Sequence, residues 1–250
     1  MFDIAASLGS LGIMTPEQFL RAARDPSLIR DVAPGAPSLE GYLFPDTYRL
    51  SRHATPEDVC RQMTNRFRQV WASLQTQADV HETVTLASLI EKETALPEER
   101  PLIASVFLNR LRLGMPLQCD PTTIYAALLE DSYRGAIFRS DLERRQRYNT
   151  YQHLGLPPGP IANPGLESLK AALHPARSDY IYFVALPDGS GAHQFSRDLK
   201  SHQRAVERYR RGQNRNFRQS QAGRVAGPDA SAAHQRKPVE RTAPAPGTRF

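Results

Sequence analysis

Several absences narrow this 250-residue chain before any motif is read. No apolar run reaches the eighteen or so residues that a membrane-spanning helix needs. Met1 to Ser10 carry Asp3 and no basic residue, so this stretch does not read as a signal peptide. The expectation is either a cytosolic protein or a longer chain whose start lies upstream. Cys60 and Cys119 are the only cysteines, and they lack metal-ligand spacing. Buried free thiols are expected, with one disulfide as the alternative. None of the seven histidines pairs with another at i, i+4, so no metal site and no cofactor is expected.

A net basic charge is missing from residues 1–209. The net charge is +6, yet residues 210–250 hold nine Arg or Lys against Asp229 and Glu240. The other 209 residues are left at −1, so charge gives a core no reason to bind nucleic acid. Residues 212–250 are rich in Arg, Gln, Ala and Pro and poor in large apolar side chains, which predicts a disordered tail.

What is present centres on Leu86-Ala87-Ser88-Leu89-Ile90-Glu91-Lys92-Glu93-Thr94. At helical period Leu86, Leu89, Ile90 and Glu93 share one stripe, and at about 100° per residue Glu91 points nearly opposite. Glu93 is therefore aimed into apolar surroundings. Desolvation there raises a carboxyl pKa, and an acid still protonated near neutrality can donate to a leaving group. The alternative is a helix whose last turn simply contains a glutamate.

Around this stretch the chain reads as mostly helical. Thr15-Pro16-Glu17-Gln18 and Thr55-Pro56-Glu57-Asp58 are helix starts. Gly41-Tyr42-Leu43-Phe44-Pro45-Asp46-Thr47-Tyr48 reads as an irregular segment covering the core, with lining a substrate cleft as the alternative. Pro97 opens a helix with the stripe Ile103, Val106, Phe107 and Leu111, stopped at Gly114. Met115 to Thr123 reads as a loop, Ser132 to Arg147 as a surface excursion, and Asn163-Pro164 as the cap of a further helix. Tyr180 to Ala185, turned by Pro187-Asp188-Gly189 into His193-Gln194-Phe195, is a hairpin. A last helix is expected over Ser196 to Arg210. The fold class predicted is α+β, a mainly helical domain with one small hairpin.

The motifs, in order, resemble the YceG-like endolytic murein transglycosylases. They are Leu89-Ile90-Glu91-Lys92-Glu93-Thr94, Ser105-Val106-Phe107-Leu108-Asn109-Arg110-Leu111, Leu117-Gln118-Cys119-Asp120-Pro121-Thr122, Tyr148-Asn149-Thr150-Tyr151, Gly155 to Ile161, Tyr180 to Val184 and His193-x-Phe195. The resemblance implies a lysozyme-like active-site helix and a catalytic domain over residues 37–211. Residues 1–36 would be the end of an upstream LysM-like subdomain, and 212–250 a tail outside the family pattern. It implies cleavage within peptidoglycan strands between N-acetylmuramic acid and N-acetylglucosamine, with Glu93 as catalytic acid and 1,6-anhydromuramic ends as product. It further implies termination of nascent strands at the periplasmic face of the inner membrane, with peptidoglycan synthases as candidate partners. The family pattern also includes a membrane anchor, and no such helix is expected within residues 1–250.

Gln118, Asp120, Thr122, Tyr148, Asn149 and Tyr151 are the candidate sugar-binding residues, because amides, hydroxyls and ring faces suit pyranoses. Loop-internal hydrogen bonding is the competing role for each. Asp120 is the only plausible second carboxylate, and His193 a weaker cleft candidate. Three other classes compete: a hydrolytic muramidase, a non-catalytic glycan-binding module, and a pyridoxal-dependent lyase. The last needs a Schiff-base lysine, and only Lys92, Lys170, Lys200 and Lys237 exist, with no Gly-rich phosphate loop.

Overall fold

The computed structural model describes residues 1–51 and 53–225, with side chains of the last helix described to Gln213. Nine α-helices and one hairpin are present among them. The order is α1 (Phe2–Ser10), α2 (Pro16–Ala23), α3 (Pro56–Ser73), α4 (Val80–Glu93), α5 (Arg100–Arg112), α6 (Asp120–Leu129), α7 (Arg139–Glu143), α8 (Leu166–Leu173), β1 (Tyr182–Ala185), β2 (His193–Ser196) and α9 (Leu199–Val225). This is the α+β class predicted. No described helix is long and apolar enough to cross a membrane.

Local chemistry explains the boundaries. Thr15 and Thr55 each accept a backbone N–H from the third residue of the following helix, while Gln18 and Asp58 reach back to the cap's own N–H. Two orphan donors are thereby satisfied at each start. Pro97 opens a single 3₁₀ turn before α5, and Gly114, at φ +65°, ends it. The hairpin pairs Tyr182 with Ser196 and Ala185 with His193 in antiparallel register.

α4 is the hub. Every residue from Thr83 to Ile90 is buried, so the helix is enclosed all round rather than amphipathic. Val84 and Ala87 face a first core built with Phe19, Leu39, Tyr42 and Phe67. Leu86, Leu89 and Ile90 face a second, with Ile103, Phe107, Leu117 and Tyr125. Each fully buried Leu or Ile contributes about 1.5–3 kcal/mol. The helix's buried hydroxyls are satisfied locally: Thr85 donates to the His81 carbonyl at 2.7 Å and Ser88 to that of Thr85 at 2.7 Å. Ser88 also accepts the Ile161 N–H at 3.0 Å, which fastens the proline-rich segment to the helix.

Residues of the 1–36 segment, among them Ala5, Phe19 and Ile29, pack into the first core together with Tyr42 and α3. The Gly41–Phe44 cover is core, as expected, with Tyr42 and Leu43 fully buried. Gly41 sits at φ +91°, and a Cβ there would lie 2.4 Å from Pro160 Cγ and 2.9 Å from Val84 Cγ1. Only glycine allows the cover to meet both α4 and the proline-rich segment.

Four expectations need correction. α6 begins at Asp120, so the loop ends earlier than Thr123. The Ser132 to Arg147 excursion contains α7. Asn163 does not cap a helix: α8 starts at Leu166 after Gly165, and Asn163 instead accepts the N–H groups of Gly41 and Leu43 at 2.8 and 3.0 Å. α9 runs on to Val225 rather than stopping near Arg210. Helix-forming Arg and Gln carry it, and Gly212 lets it cross the hairpin turn, where a Cβ would lie 2.2 Å from Pro187 Cβ. The remainder of the predicted disordered tail, 226–250, lies outside the described residues.

Candidate active site

α4 ends in Glu91-Lys92-Glu93, and its two glutamates leave on opposite sides. Glu91 faces α8. Its Oε2 accepts the Gly165 N–H at 3.1 Å and the Ser168 hydroxyl at 2.6 Å, while Arg100 lies 3.6 Å from Oε1. Since Gly165 is the N-cap of α8, Glu91 supplies from another helix the acceptor that this start lacks in its own sequence. Its role is anchoring. Lys92 is exposed and lies 3.6 Å from Asp3.

Glu93 lines a cleft of about 300 Å³ together with Phe107 and Arg110 of α5 and Leu117, Gln118 and Asp120 before and at the start of α6. Tyr151, the β1 residues Phe183 and Val184, and His202 and Val206 of α9 complete it. Glu93 is half-buried and lines the cleft. Burial raises its pKa from 4.5 to about 7. A hydrogen bond from the Cys119 thiol and the charge of Arg110 oppose the rise, and the charge of Asp120 adds to it. Burial, followed by the Glu93 charge, pushes the Cys119 thiol well above its usual value. Near neutrality the Glu93 carboxyl is thus shared between its acid and carboxylate forms while the Cys119 thiol stays neutral, so the site does not hold two anions. Cys60 and Cys119 are both buried free thiols.

Four of the residues chosen from the sequence meet in this cleft: Glu93, Gln118, Asp120 and Tyr151. Tyr151 donates its hydroxyl to Asp120 Oδ1 at 2.6 Å, across 31 residues of chain. Gln118 is held at φ +51°, in the left-handed region that non-glycine residues enter only at a cost. Its N–H donates to the Thr150 carbonyl at 3.2 Å, and the next N–H, of Cys119, donates to Thr150 Oγ1 at 3.0 Å. This is a loop held in an unfavourable conformation beside the acid.

Thr122, Tyr148 and Asn149, the other three candidates, do not line this cleft. Thr122 is fully buried, donates to the Cys119 carbonyl at 2.6 Å and pairs with Thr150 Oγ1 at 2.9 Å. Asn149 is 1% exposed, and its amide donates to the carbonyls of Asp141, Leu142 and Arg144 at 2.8 to 3.1 Å. Tyr148 packs on Tyr125 with ring centres 4.9 Å apart, and burial pushes its phenol to about 12. All three support the loops that carry Gln118, Asp120 and Tyr151. His193 is likewise outside the cleft: its Nδ1 meets Glu99 Oε2 at 2.7 Å, and its N–H donates to Oε1 at 2.8 Å, tying the hairpin to the turn after α4.

The sequence reading missed Arg110, Phe183 and His202 as cleft residues. Arg110 follows Phe107 by three and Val106 by four, so it lies on the apolar stripe of α5. A charged residue on such a stripe is the signal that picked out Glu93. Arg110 is 9% exposed, and its Nε donates to the Ile181 carbonyl at 2.7 Å and Nη1 to that of Leu117 at 2.7 Å. Among the described residues it has no carboxylate within ion-pair distance. His202 stacks on Tyr182 at 4.8 Å, and no sequence pattern marked it.

A mostly helical domain with a buried acid at the end of its central helix sets the class, and the comparisons give the family. The family model "YceG-like family" matches residues 1–208, and the chain belongs to that family. An endolytic murein transglycosylase from Bacillus subtilis (strain 168) is 45% identical over 177 residues, covering 68% of this chain and 48% of the relative. One from Streptococcus pneumoniae serotype 2 (strain D39) is 32% identical over 200 residues, covering 69% and 35%. The chain therefore spans about half the length of these relatives or less. The crystal structure of a YceG-like protein from Listeria monocytogenes superposes with a TM-score of 0.66 at 33% identity, covering 79% of this chain and 69% of the other.

Proposed function

We propose that this chain is the catalytic part of an endolytic peptidoglycan lytic transglycosylase. The observation that carries the reading is Glu93, a carboxylic acid with a pKa of about 7 in a sugar-sized cleft. At that value it is protonated often enough to act as acid and ionised easily enough to act as base. In the first step its proton passes to the glycosidic oxygen and the bond from that oxygen to C1 of the muramic residue breaks. In the second, the resulting carboxylate takes the proton of the same residue's C6 hydroxyl as that oxygen bonds to C1. The product is a 1,6-anhydro ring, and Glu93 is again an acid. Because the nucleophile is part of the substrate, no second carboxylate is required, and Arg110 steadies the carboxylate between the two steps.

Asp120 in the same cleft favours one competing reading, a hydrolase in which it would direct water from the far side of the ring. Its engagement by Tyr151 argues for holding substrate instead. Its similarity to endolytic murein transglycosylases supports the endolytic mode and the murein substrate; on this reading the enzyme would act at the periplasmic face of the inner membrane and terminate strands made by peptidoglycan synthases. The test is Glu93→Gln, which removes the transferable proton at nearly constant shape. Release of fragments from purified glycan strands should fall by several orders of magnitude, and retention of moderate activity would overturn the assignment.

A further inference from the structure

Two polar groups on one side of the cleft have hydrogen-bonding capacity that the protein does not use. Arg110 spends its Nε and Nη1 donors on the carbonyls of Ile181, Leu117 and Pro116, the last at 3.4 Å. Nη2 has no partner among the described residues and is not enclosed. The buried guanidinium stays charged and interacts with the titrating Glu93, but among the described residues no carboxylate forms an ion pair with it. His202 is the second group. Its Nδ1 is buried with no hydrogen-bond partner, while Nε2 keeps contact with the cleft. Burial and the charge of Arg110 hold its pKa below the usual value, so the ring is neutral at pH 7. A neutral ring has one proton, and placing it on Nε2, where it can be solvated, avoids an orphaned buried N–H. Tyr182 ties the pair together, with the Arg110 guanidinium 5.1 Å and the His202 ring 4.8 Å from its ring centre.

Both groups therefore offer donors and no acceptor. A glycan strand of alternating N-acetylglucosamine and N-acetylmuramic acid presents this wall with two nearly identical sugars. They differ in the lactyl ether on C3 of the muramic residue, which ends in a carbonyl. That carbonyl is a carboxylate where the peptide stem has been removed and an amide where it remains, and in either form it accepts hydrogen bonds. An enzyme that forms a 1,6-anhydro ring only on the muramic residue must sense this difference, or half of its binding registers are wrong. We propose that Arg110 and His202 form a subsite for the lactyl carbonyl that sets the register of the strand in the cleft. The inference rests on the transglycosylase reading above and deepens it. Arg110 supplies a charge-assisted bond, stronger for a free carboxylate than for an amide, and His202 a neutral one.

The experiment uses the full chain carrying Glu93→Gln, so that ligands bind without turnover. Calorimetry compares three tetrasaccharides: alternating strands with free lactyl carboxylates, the same strands with amide-linked stems, and N-acetylglucosamine alone. Lactyl-bearing ligands should bind about tenfold or more tightly than the last. A gain for both forms identifies the carbonyl as the ligand, and a gain for the carboxylate alone identifies stem-free muramic acid. Either supports the subsite. Adding His202→Ala, which breaks no hydrogen bond within the protein, should cut the ratio severalfold. Arg110→Lys keeps the charge but loses the fork, and should cut it further, with circular dichroism confirming the fold. Equal affinity for all three ligands, or an unchanged ratio in either variant, would overturn the inference. Cleavage of strands by the wild-type chain is scored separately, so failure of the subsite and failure of the transglycosylase reading are told apart.

Discussion

Replacing Glu93 by glutamine should stabilise the protein, and do so only above a definite pH. In the unfolded chain the Glu93 carboxyl titrates near 4.5, and in the folded protein near 7. The folded state thus binds an extra proton between these values, and stability falls as pH rises through the window. The whole loss corresponds to roughly 3 kcal/mol, and the part falling between pH 5 and pH 8 to roughly 2 to 3 kcal/mol. Openness to the cleft favours the lower figure. Glutamine does not titrate, so the variant escapes the loss. Urea unfolding of both proteins at pH 5, 6, 7 and 8 isolates the effect, because groups unaffected by residue 93 cancel in the difference. Any constant offset from the new amide cancels in the slope. The stability difference, variant minus wild type, should grow with pH and level off above pH 7. A difference independent of pH, or one that shrinks, would refute the claim that burial holds this acid protonated.

The two other structural predictions concern the frame around the acid. Glu91→Ala removes the acceptor of the Gly165 N–H and Ser168 hydroxyl and should cost about 1–3 kcal/mol, a melting temperature lower by about 2–4 °C per kcal/mol. Glu91→Gln keeps an acceptor oxygen and should recover most of that stability with strand cleavage retained, whereas inactivation matching Glu93→Gln with the fold intact would contradict the division of roles. Gly41→Ala forces a side chain into the left-handed region and against Pro160, and should cost about 2–5 kcal/mol in urea unfolding. A neutral result there would show that the cover segment is free to shift.

What was legible in the sequence had a period or a local rule behind it. Glu93 was found because a carboxylate on an apolar stripe contradicts its surroundings. The Thr15 and Thr55 starts and the 182–196 hairpin follow from bonding within a few residues. The sugar-binding candidates divided because side-chain type does not report what a loop must satisfy internally. Asn149 and Thr122 carry the groups that bind a pyranose, yet spend them on carbonyls and hydroxyls of their own loops. Glu91 as the cap of α8, and Asn163 as a clamp on Gly41 and Leu43, are bonds across 74 and more than 100 residues of chain, which no local pattern encodes. Arg110 was legible in principle, by the same stripe argument as Glu93. His202 was not, since its place depends on α9 docking against β1.

On the proposed route Glu93 is the sole catalytic carboxylate, and the C6 hydroxyl of the substrate is the nucleophile. Digestion of purified glycan strands in water enriched in heavy oxygen, followed by mass spectrometry of the new ends, tests it directly. The new ends should be 1,6-anhydromuramic residues that carry no heavy oxygen. Reducing ends that carry the label would contradict it, because the oxygen would have come from water and Asp120 would then be the second catalytic carboxylate.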